Sequence, residues 1–340
     1  MTRQAILLVN LGSPASPHPA DVKPYLDEFL MDPYVIDVPT PLRALIVRGY
    51  ILNTRPAKTG EAYEKIWTSE GSPLVVISKR TQVALEARMR VPVGLAMRYA
   101  EPSIAHGLAE LLRRAGELDE LIVVPLYPHY AMASTMTVEV AVQRALAGRG
   151  LRHRFVAPFF EDPAYLDALT ASVRAHVPAD AQHVLFSYHG IPKRHLRKVD
   201  PTGAHCLRSA DCCATPSPAH ATCYRHQIIA TTEAVAARMG LRPGEYGFAF
   251  QSRLGGGWLE PYTDKELVAL PARGVKRLAV VCPSFVADCL ETLEEIALRG
   301  RELFLGSGGD AFTCVPCLND DAAWIEALAV LCRRAAPVNA

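Results

Sequence analysis

Short apolar runs alternate with amphipathic stretches of helical length along the first half of the chain. Residues 5–9, 93–97, 121–125 and 155–158 are apolar runs of strand length, and residues 103–115 have the spacing of an amphipathic helix. Continuous apolar runs are typical of strands that are buried on both faces of a parallel sheet. The order strand, helix, strand, helix therefore predicts an α/β unit built on a parallel sheet.

The same pattern returns in the second half. Apolar runs at residues 184–187, 246–251, 277–281 and 302–305 predict four more strands, and helices are predicted over residues 164–175, 231–239 and 320–334. Two similar sheet units with a boundary near residues 161–163 are the simplest account. We therefore predict an α/β protein of two Rossmann-like domains, residues 1–160 and 161–317, each with a parallel β-sheet flanked by helices.

Composition narrows the class of protein. Half of the 340 residues are apolar, which is enough to build sizeable cores, and the formal net charge is only +1. Such a balance gives no bulk electrostatic attraction to nucleic acid. No stretch reaches the roughly 18 uninterrupted apolar residues of a transmembrane helix, and the amino-terminal residues enter a strand-like run without a cleavage site. We expect a cytoplasmic protein.

A histidine stands at the carboxyl end of one predicted strand. The run over residues 184–192 is a short apolar strand that ends in His189, followed by Gly190 and Pro192. Ligands of open α/β sheets bind outside the carboxyl ends of the strands, and a neutral imidazole is a natural base near neutral pH. His189 is therefore a candidate base. An isolated histidine at a strand end is more often a structural residue that hydrogen-bonds to the backbone.

Three acidic residues follow another predicted strand. Asp288, Glu291 and Glu295 stand at positions i, i+3 and i+7 of a predicted helix, so their carboxyls are expected to line one face. Such a face is suited to accept protons or a metal ion in the same cleft as His189. A solvated acidic helix face is the alternative, although the apolar residues of this helix favour a position near the core.

Four of the nine cysteines, Cys206, Cys212, Cys213 and Cys223, lie in one segment without helical or strand periodicity. Four cysteines are able to hold an iron–sulfur cluster or a tetrahedral zinc ion. Their spacing fits neither the paired C-x-x-C zinc pattern nor the plant-type ferredoxin run, and the adjacent Cys212 and Cys213 are awkward ligands for one small ion. The other five cysteines lie in or beside apolar segments, where small buried hydrophobes are expected.

These segments, together with residues 8–14, 250–253, 258–264 and 315–319, resemble ferrochelatase, the enzyme that inserts ferrous iron into a porphyrin. The resemblance covers nearly the whole chain, and its opening is more similar to the proteobacterial type, which uses protoporphyrin IX. It implies a two-domain chelatase fold in which the carboxyl-terminal helix, residues 318–340, joins the first domain. A chelatase for coproporphyrin or for cobalt, and a porphyrin or haem carrier without turnover, are the alternative functions.

The resemblance also assigns residues. It implies that His189 is the catalytic base, that Glu291 is the catalytic glutamate, and that both meet the substrate Fe²⁺. Asp288 and Glu295 complete an acidic relay. The porphyrin-binding residues that it implies are Leu11 and Trp258 at the ring faces, Arg55, Tyr63 and Ser72 at the propionates, and Arg98 and Tyr99 near the metal side.

Two further features are interpreted through the resemblance. Some members of the family carry a [2Fe–2S] cluster, so the cysteine-rich insertion 200–223 is expected to bind one at Cys206, Cys212, Cys213 and Cys223, with zinc or free thiols as the alternatives. The apolar segment 40–57 resembles the lip of the porphyrin pocket. Its basic residues fit peripheral contact with an anionic membrane at the inner membrane face, and a buried amphipathic helix is the alternative.

Overall fold

The computed structural model describes residues 3–253 and 255–335, which divide into two compact units. The first unit comprises residues 3–126, 132–157 and 320–335, and the second comprises residues 127–131 and 158–319. Each unit is built around its own four-stranded parallel sheet. The prediction of an α/β protein with two parallel sheets flanked by helices is confirmed.

The sheet of the first unit has the strand order β2-β1-β3-β4. Its strands are β1 (Gln4–Asn10), β2 (Val93–Met97), β3 (Glu120–Pro125) and β4 (Arg152–Phe155). The central strand β1 pairs in parallel with β2 and β3, and residues 5–9 are fully buried. This burial on both faces is why the strand contains no polar alternation. The fourth strand was predicted over residues 155–158, which is three residues further along the chain than β4.

Helices flank this sheet. They are α1 (Pro19–Leu30), α2 (Thr40–Ala44), α3 (Leu52–Thr54), α4 (Pro56–Glu64), α5 (Pro73–Met89), α6 (Ile104–Ala115) and α7 (Thr137–Leu146), with π-helical turns at Leu45–Ile51 and Met132–Met136. α6 begins where Ser103 accepts a hydrogen bond from the backbone N–H of His106, so the hydroxyl satisfies one amide of the first turn.

The sheet of the second unit has the order β6-β5-β7-β8, the same relative order as in the first unit. Its strands are β5 (His183–His189), β6 (Tyr246–Gln251), β7 (Arg277–Val281) and β8 (Ala311–Cys314). The helices are α8 (Pro163–His176), α9 (Lys193–Val199), α10 (Tyr224–Met239), α11 (Thr263–Ala272), a π-helix over Glu291–Gly300 and α12 (Arg301–Gly306), with a 3₁₀ turn at Pro218–Ala221. The last helix, α13 (Ala322–Arg334), belongs to the first unit.

The strand predicted over residues 302–305 is wrong. These residues form α12, in which Phe304 is fully buried and Leu303 is 37% exposed. A four-residue apolar run does not distinguish a strand from a helix, and here it continues the helical stretch that begins at Glu291. The fourth strand is β8, which follows a turn containing Gly308 at φ +95°.

Among the described residues, no helix is both long and apolar enough to cross a membrane.

Candidate active site

His189 is the last residue of β5, where it pairs with Gln251 of β6. Its backbone N–H donates to Oγ of Ser284 at 3.2 Å, and its carbonyl accepts from the hydroxyl of Tyr224 at 2.9 Å. The hydroxyls of Tyr224 and Ser284 lie 2.8 Å apart. A carbonyl only accepts, so the single Tyr224 proton points to His189, and the Ser284 proton points to Tyr224. The backbone of His189 therefore closes a ring of three hydrogen bonds with two side chains.

The imidazole of His189 has a defined tautomer. Its Nδ1 lies 2.6 Å from the carbonyl oxygen of Gly190, which only accepts, so Nδ1 carries the proton. In the neutral ring, Nε2 then carries a lone pair. The ring is half-buried and stands edge-on to Phe285, with 6.2 Å between the centroids. The arrangement leaves one nitrogen of a fixed imidazole free to accept a proton.

Trp258 packs beside Gly190, the residue that follows His189. A Cβ added at Gly190 would lie 3.2 Å from Cε3 of Trp258 and 2.9 Å from the carbonyl oxygen of Gln251. The segment after β5 also bridges to Trp258 in antiparallel fashion through Pro192. Glycine at position 190 thus allows the indole and the strand end to approach closely. The structure brings together His189 and Trp258, two of the predicted site residues.

The acidic residues do not form the predicted α-helical stripe. Residues Glu291–Gly300 form a π-helix, with i→i+5 hydrogen bonding, and Asp288 lies before it in an irregular segment. The expectation that Asp288, Glu291 and Glu295 line one α-helical face is therefore wrong. Sequence spacing assumes 3.6 residues per turn, and a wider turn that starts only at Glu291 changes which side chains share a face.

Glu291 and Glu295 are both half-buried and both linked to the end of β6. The carboxylate of Glu295 accepts hydrogen bonds from the backbone N–H of Ser252, at 2.8 Å, and from its hydroxyl. Ser252 adopts φ +61°, a left-handed conformation that aims both donors at one carboxylate. The side-chain amide of Gln251 donates to the backbone carbonyl of Glu291 at 2.9 Å. The carboxylate of Glu291 lies near the thiol of Cys289 and helps to raise the pKa of that thiol.

Asp288 is buried in a network of its own. Its carboxylate accepts from the hydroxyl of Thr292 at 2.8 Å, from the side-chain amide of Asn319 at 2.8 Å and from the backbone N–H of Cys317 at 3.3 Å. Asn319 also accepts from the backbone N–H of Asp288 at 2.9 Å. This carboxylate joins the start of the π-helix to the segment after β8.

Sequence analysis missed the thiols around these acids. Burial raises the pKa of Cys289 and that of Cys317 well above the usual value, and the nearby carboxylates Glu291 and Asp288 add to it. Cys289 directly follows Asp288 in the sequence, but its apolar surroundings indicated only burial, and no local pattern indicated that Cys317 lies near Asp288.

The four cysteines of the insertion come together. Cys223 acts on the pKa of both Cys206 and Cys213, and Cys212 acts on that of Cys213, so the four thiols lie near one another. All but Cys213 are at most 2% exposed. The guanidinium of Arg225 donates to Sγ of Cys213 at 3.4 Å. The backbone contacts of this segment run to the carboxylate of Asp200, which accepts from the N–H groups of Thr202, His205 and Cys206.

The surroundings hold two of these thiols, those of Cys206 and Cys213, in their protonated form. Burial raises the pKa of Cys206, and the hydrogen bond to Cys223, followed by burial, raises the pKa of Cys213. With side chains as they stand, no group of three or more His, Cys, Asp or Glu in residues 3–253 and 255–335 is arranged to hold a metal ion. The donor set still fits a cluster chemically, because four neighbouring thiols, three of them buried, become ligands when their protons are lost.

In the first unit, Leu11 and Tyr99 are joined directly. The backbone N–H of Tyr99 donates to the carbonyl of Leu11 at 2.9 Å. Gly12 has φ +112°, and a Cβ there would lie 1.8 Å from the carbonyl oxygen of Tyr99, so only glycine fits. The loops after β1 and β2 are therefore packed backbone to backbone.

Arg98 and Tyr99 are both bonded to Asp32, which sequence analysis missed. The Arg98 guanidinium forms an ion pair with Asp32, whose side chain is 2% exposed, and donates to Oγ1 of Thr137 at 2.7 Å. The Tyr99 hydroxyl donates to Asp32 at 3.0 Å, and burial raises the pKa of this hydroxyl. Asp32 lies just after α1, about 65 residues from its partners, and no local pattern indicates that contact.

The three residues that were predicted to bind the propionates have different environments. Ser72, immediately before α5, is buried and lines a pocket of about 380 Å³ that also contains Asp21, Glu28, Glu70 and Glu101. Tyr63 is buried edge-on against Trp67, and Arg55 is exposed; neither lines this pocket. The four carboxylates make the pocket at Ser72 unfavourable for an anionic group.

Comparisons with known proteins agree with one another. The family model described as Ferrochelatase matches residues 3–336. Ferrochelatases of Ectopseudomonas mendocina (strain ymp) and of Azotobacter vinelandii are each 52% identical to this chain, over 98% of its length and 99% of theirs.

Solved structures show the same fold. SirB from Bacillus subtilis with Fe³⁺ is similar with a TM-score of 0.55 at 14% identity, over 98% of this chain and 95% of that one. The sirohydrochlorin chelatase SirB from Bacillus subtilis subspecies spizizenii in complex with cobalt has a TM-score of 0.54 at 12% identity, over 98% and 94%. Because the family model and the relatives at 52% identity span nearly the whole sequence, this chain belongs to the ferrochelatase family.

Proposed function

We propose that this chain is a lyase that inserts ferrous iron into protoporphyrin IX and forms protohaem. Fe²⁺ enters the macrocycle while the two pyrrole N–H protons leave, so the reaction needs a base and a path for protons. The observation that carries the proposal is the fixed imidazole of His189, whose Nδ1 is bonded to the Gly190 carbonyl and whose Nε2 is the free base. Membership of the ferrochelatase family supports the choice of substrates.

In this proposal, His189 accepts a pyrrole proton through Nε2 and meets the incoming Fe²⁺ together with Glu291. Glu295 continues the relay, since Ser252 holds both of its oxygens while the side chain stays half-exposed. Asp288 remains the inner member of the predicted acidic set. Its three hydrogen bonds favour a role in positioning the π-helix rather than in passing protons onward.

Trp258 and Leu11 stay predictions as the contacts of the two porphyrin faces. Arg55 is the best supported propionate contact, because it is exposed and a guanidinium pairs with a carboxylate through two hydrogen bonds. Tyr63 and Ser72 stay predictions, and the carboxylates around Ser72 weigh against it. Arg98 and Tyr99 stay predictions as contacts near the metal side; their bonds to Asp32 favour an indirect role there.

An anaerobic assay of haem formation from Fe²⁺ and protoporphyrin tests the proposal. His189→Ala is expected to retain porphyrin binding while insertion falls by about 10²–10⁴, the usual effect of removing a general base. His176→Ala is the matched control, an exposed histidine of the same unit that bonds a backbone carbonyl. Insertion by His189→Ala at the control rate would contradict the assignment.

The same assay separates the alternatives. Faster turnover with coproporphyrin, or with Co²⁺ in place of Fe²⁺, would reassign the substrate and keep the chelatase chemistry. A carrier would bind one equivalent of porphyrin or haem and show no turnover with any metal. The relay of acids behind His189 favours an enzyme, because a carrier has no protons to remove.

We further propose that Cys206, Cys212, Cys213 and Cys223 hold a [2Fe–2S] cluster. The nearness of the four thiols to one another and the guanidinium of Arg225 on Cys213 support it. When bound, such a cluster supplies a covalent cross-link that orders the insertion. Iron insertion involves no net electron transfer, so a structural or regulatory role is proposed.

Protein purified without air from iron-replete cells tests the cluster. About two iron and two acid-labile sulfide per chain are expected for one cluster, and Cys→Ser at any of the four positions should remove both. Cys332→Ser, which changes a buried cysteine of α13, is the control. One zinc per chain would favour zinc, and four reactive thiols without metal would leave free cysteines.

The apolar segment 40–57 is proposed as the pocket lip and as a peripheral membrane contact on the cytoplasmic side. Leu42, Leu45 and Tyr50 are 47%, 68% and 68% exposed, which supports this reading over a buried helix. Co-sedimentation with anionic vesicles tests it: Leu45→Glu should reduce binding, and Val83→Glu, at an equally exposed position of α5, should not. Equal effects of both changes would remove the segment from the proposal.

A further inference from the structure

A basic pocket of about 510 Å³ lies in the second unit, away from the residues assigned to metal insertion. Four cationic side chains and one carboxylate line it: Lys193, Arg197, Arg208, Arg225 and Glu260. Leu207, Ser209, Ala210 and Leu259 complete the lining. We call it the basic pocket. Two of its walls are α9 and the cysteine-rich insertion, and the third is the segment that follows Trp258.

The cations of this pocket are not matched by anions. Within the described residues, the side chains of Arg197 and Arg208 make no hydrogen bond or ion pair, and Arg225 donates to a sulfur rather than to a carboxylate. The carboxylate of Glu260 is paired with Lys193 at 2.7 Å. Three guanidinium groups without a carboxylate partner among the described residues therefore line one concavity, and such a set attracts an anion.

We propose that the basic pocket binds a small phosphate-bearing anion through a pyrophosphate group. A guanidinium presents two parallel N–H donors that match phosphate oxygens, and three such groups suit a ligand with several oxygens. The volume lies in the range of small-molecule sites. A flat macromolecular surface would meet the exposed rim and leave the concavity of Arg225 unfilled.

The walls of the pocket connect it to the site at His189. The backbone N–H of Lys193 donates to the carbonyl of Gly257 at 2.8 Å, and that of Leu259 donates to Ile191 at 3.0 Å. Trp258 lies between these two bonds. An anion that draws Lys193 away from Glu260 therefore acts on the segment that carries Trp258. On the basis of the proposed function, bound anion is expected to change the KM for porphyrin more than kcat.

Calorimetric titration of the full chain with inorganic pyrophosphate at constant ionic strength tests the proposal. One saturable site is expected, and Arg197→Gln and Arg208→Gln should each weaken binding about tenfold or more, the effect of losing one charge-assisted hydrogen bond. Arg301→Gln removes the same charge from an exposed position of α12 and should bind as the unchanged chain does. Pyrophosphate that binds equally well to all three variants would overturn the proposal.

Two further experiments distinguish a soluble pyrophosphate ligand from a general effect of charge and from a lipid headgroup. Weak binding that sulfate at equal ionic strength reproduces in full would show a general charge effect and overturn the site. Retention on phosphatidic acid vesicles that Arg208→Gln abolishes, without any binding of pyrophosphate, would replace the soluble ligand by a lipid and overturn it as well. Pyrophosphate binding in a protein that inserts no iron would refute the proposed function alone, because the titration does not depend on turnover.

Discussion

Tyr224→Phe is the sharpest test of how the fold prepares His189. The change keeps the buried ring and removes one hydroxyl, which donates to the carbonyl of His189 at 2.9 Å and meets Ser284 at 2.8 Å. Tyr224 is 5% exposed, so water does not readily replace the lost partner. The ring of hydrogen bonds around the backbone of His189 opens at two of its three bonds.

The magnitude follows from the two buried groups that lose a partner. An unsatisfied buried hydrogen-bonding group costs about 1–3 kcal/mol, and partial relaxation is expected, so we predict a loss of about 2 kcal/mol in the free energy of unfolding. For a unit of this size, that corresponds to a decrease of about 4–8 °C in Tm. The looser imidazole should lower kcat about tenfold, which is about 1.4 kcal/mol in the activation barrier.

The form of the pH dependence separates positioning from proton transfer. Burial raises the pKa of Tyr224, so its hydroxyl keeps its proton throughout the range of an assay. A positioning role therefore predicts a lower kcat with an unchanged shape of the pH–rate profile. If the profile lost one of its limbs, Tyr224 would itself carry a proton in the reaction.

Tyr188→Phe is the matched control. Tyr188 is fully buried in the same strand as His189, but its hydroxyl bonds Thr232 at 2.7 Å. Thermal unfolding and steady-state haem formation should show that both variants lose stability while only Tyr224→Phe loses kcat. Equal losses of kcat in the two variants would refute the reasoning, because the effect would then follow from stability alone.

Three further predictions concern the same unit. Gly190→Ala should raise the KM for porphyrin and destabilise the fold by about 1–3 kcal/mol, since its Cβ would lie 2.9 Å from a backbone oxygen, whereas Gly256→Ala, with nothing within 4 Å, should be neutral in the same assay and melt. Glu291→Gln should reduce turnover strongly and Glu295→Gln less, being further along the π-helix; equal small effects would show a merely solvated face. Burial lowers the pKa of His129 to about 3. Below about pH 6.5 the unfolded chain therefore binds a proton at His129 that the folded chain does not bind. As the pH decreases from about 6.5 to about 3, the free energy of unfolding should decrease by up to about 1.4 kcal/mol per pH unit. His129→Phe should flatten that part of the curve in urea titrations between pH 6.5 and 4, and an unchanged slope would show that His129 is protonated when folded.

The sequence predicted the candidate site best at β5, the strand that ends at the candidate base His189. β5 is a continuous apolar run that ends at His189, and buried strands of this kind are visible without any tertiary information. The close approach at Gly190 also has a sequence signal, the glycine itself. The partners of His189 have none, because Tyr224 and Ser284 lie 35 and 95 residues away and meet it only through the sheet.

Local patterns failed where the local geometry is unusual. The spacing of Asp288, Glu291 and Glu295 was interpreted with the period of an α-helix, and the chain forms a π-helix that begins at Glu291. The run at 302–305 was assigned to a strand, although it continues that helical stretch. In both places the wider turn of one segment decides the outcome, and no composition rule signals it.

The hydrogen bonds divide the predicted site residues into two classes. His189 has both backbone groups and Nδ1 occupied, and this leaves Nε2 as the one atom able to react. Arg98 and Tyr99 direct their polar groups to Asp32, and Asp288 accepts three hydrogen bonds, so these side chains have been matched by the protein itself. A group that is to bind substrate has to keep one polar atom unmatched and the others fixed, since fixed neighbours lower the cost of reorganisation during the reaction. By that criterion the chemistry belongs to His189 and Glu291, while Ser252 holds both carboxylate oxygens of Glu295 and the buried pairs hold the loops.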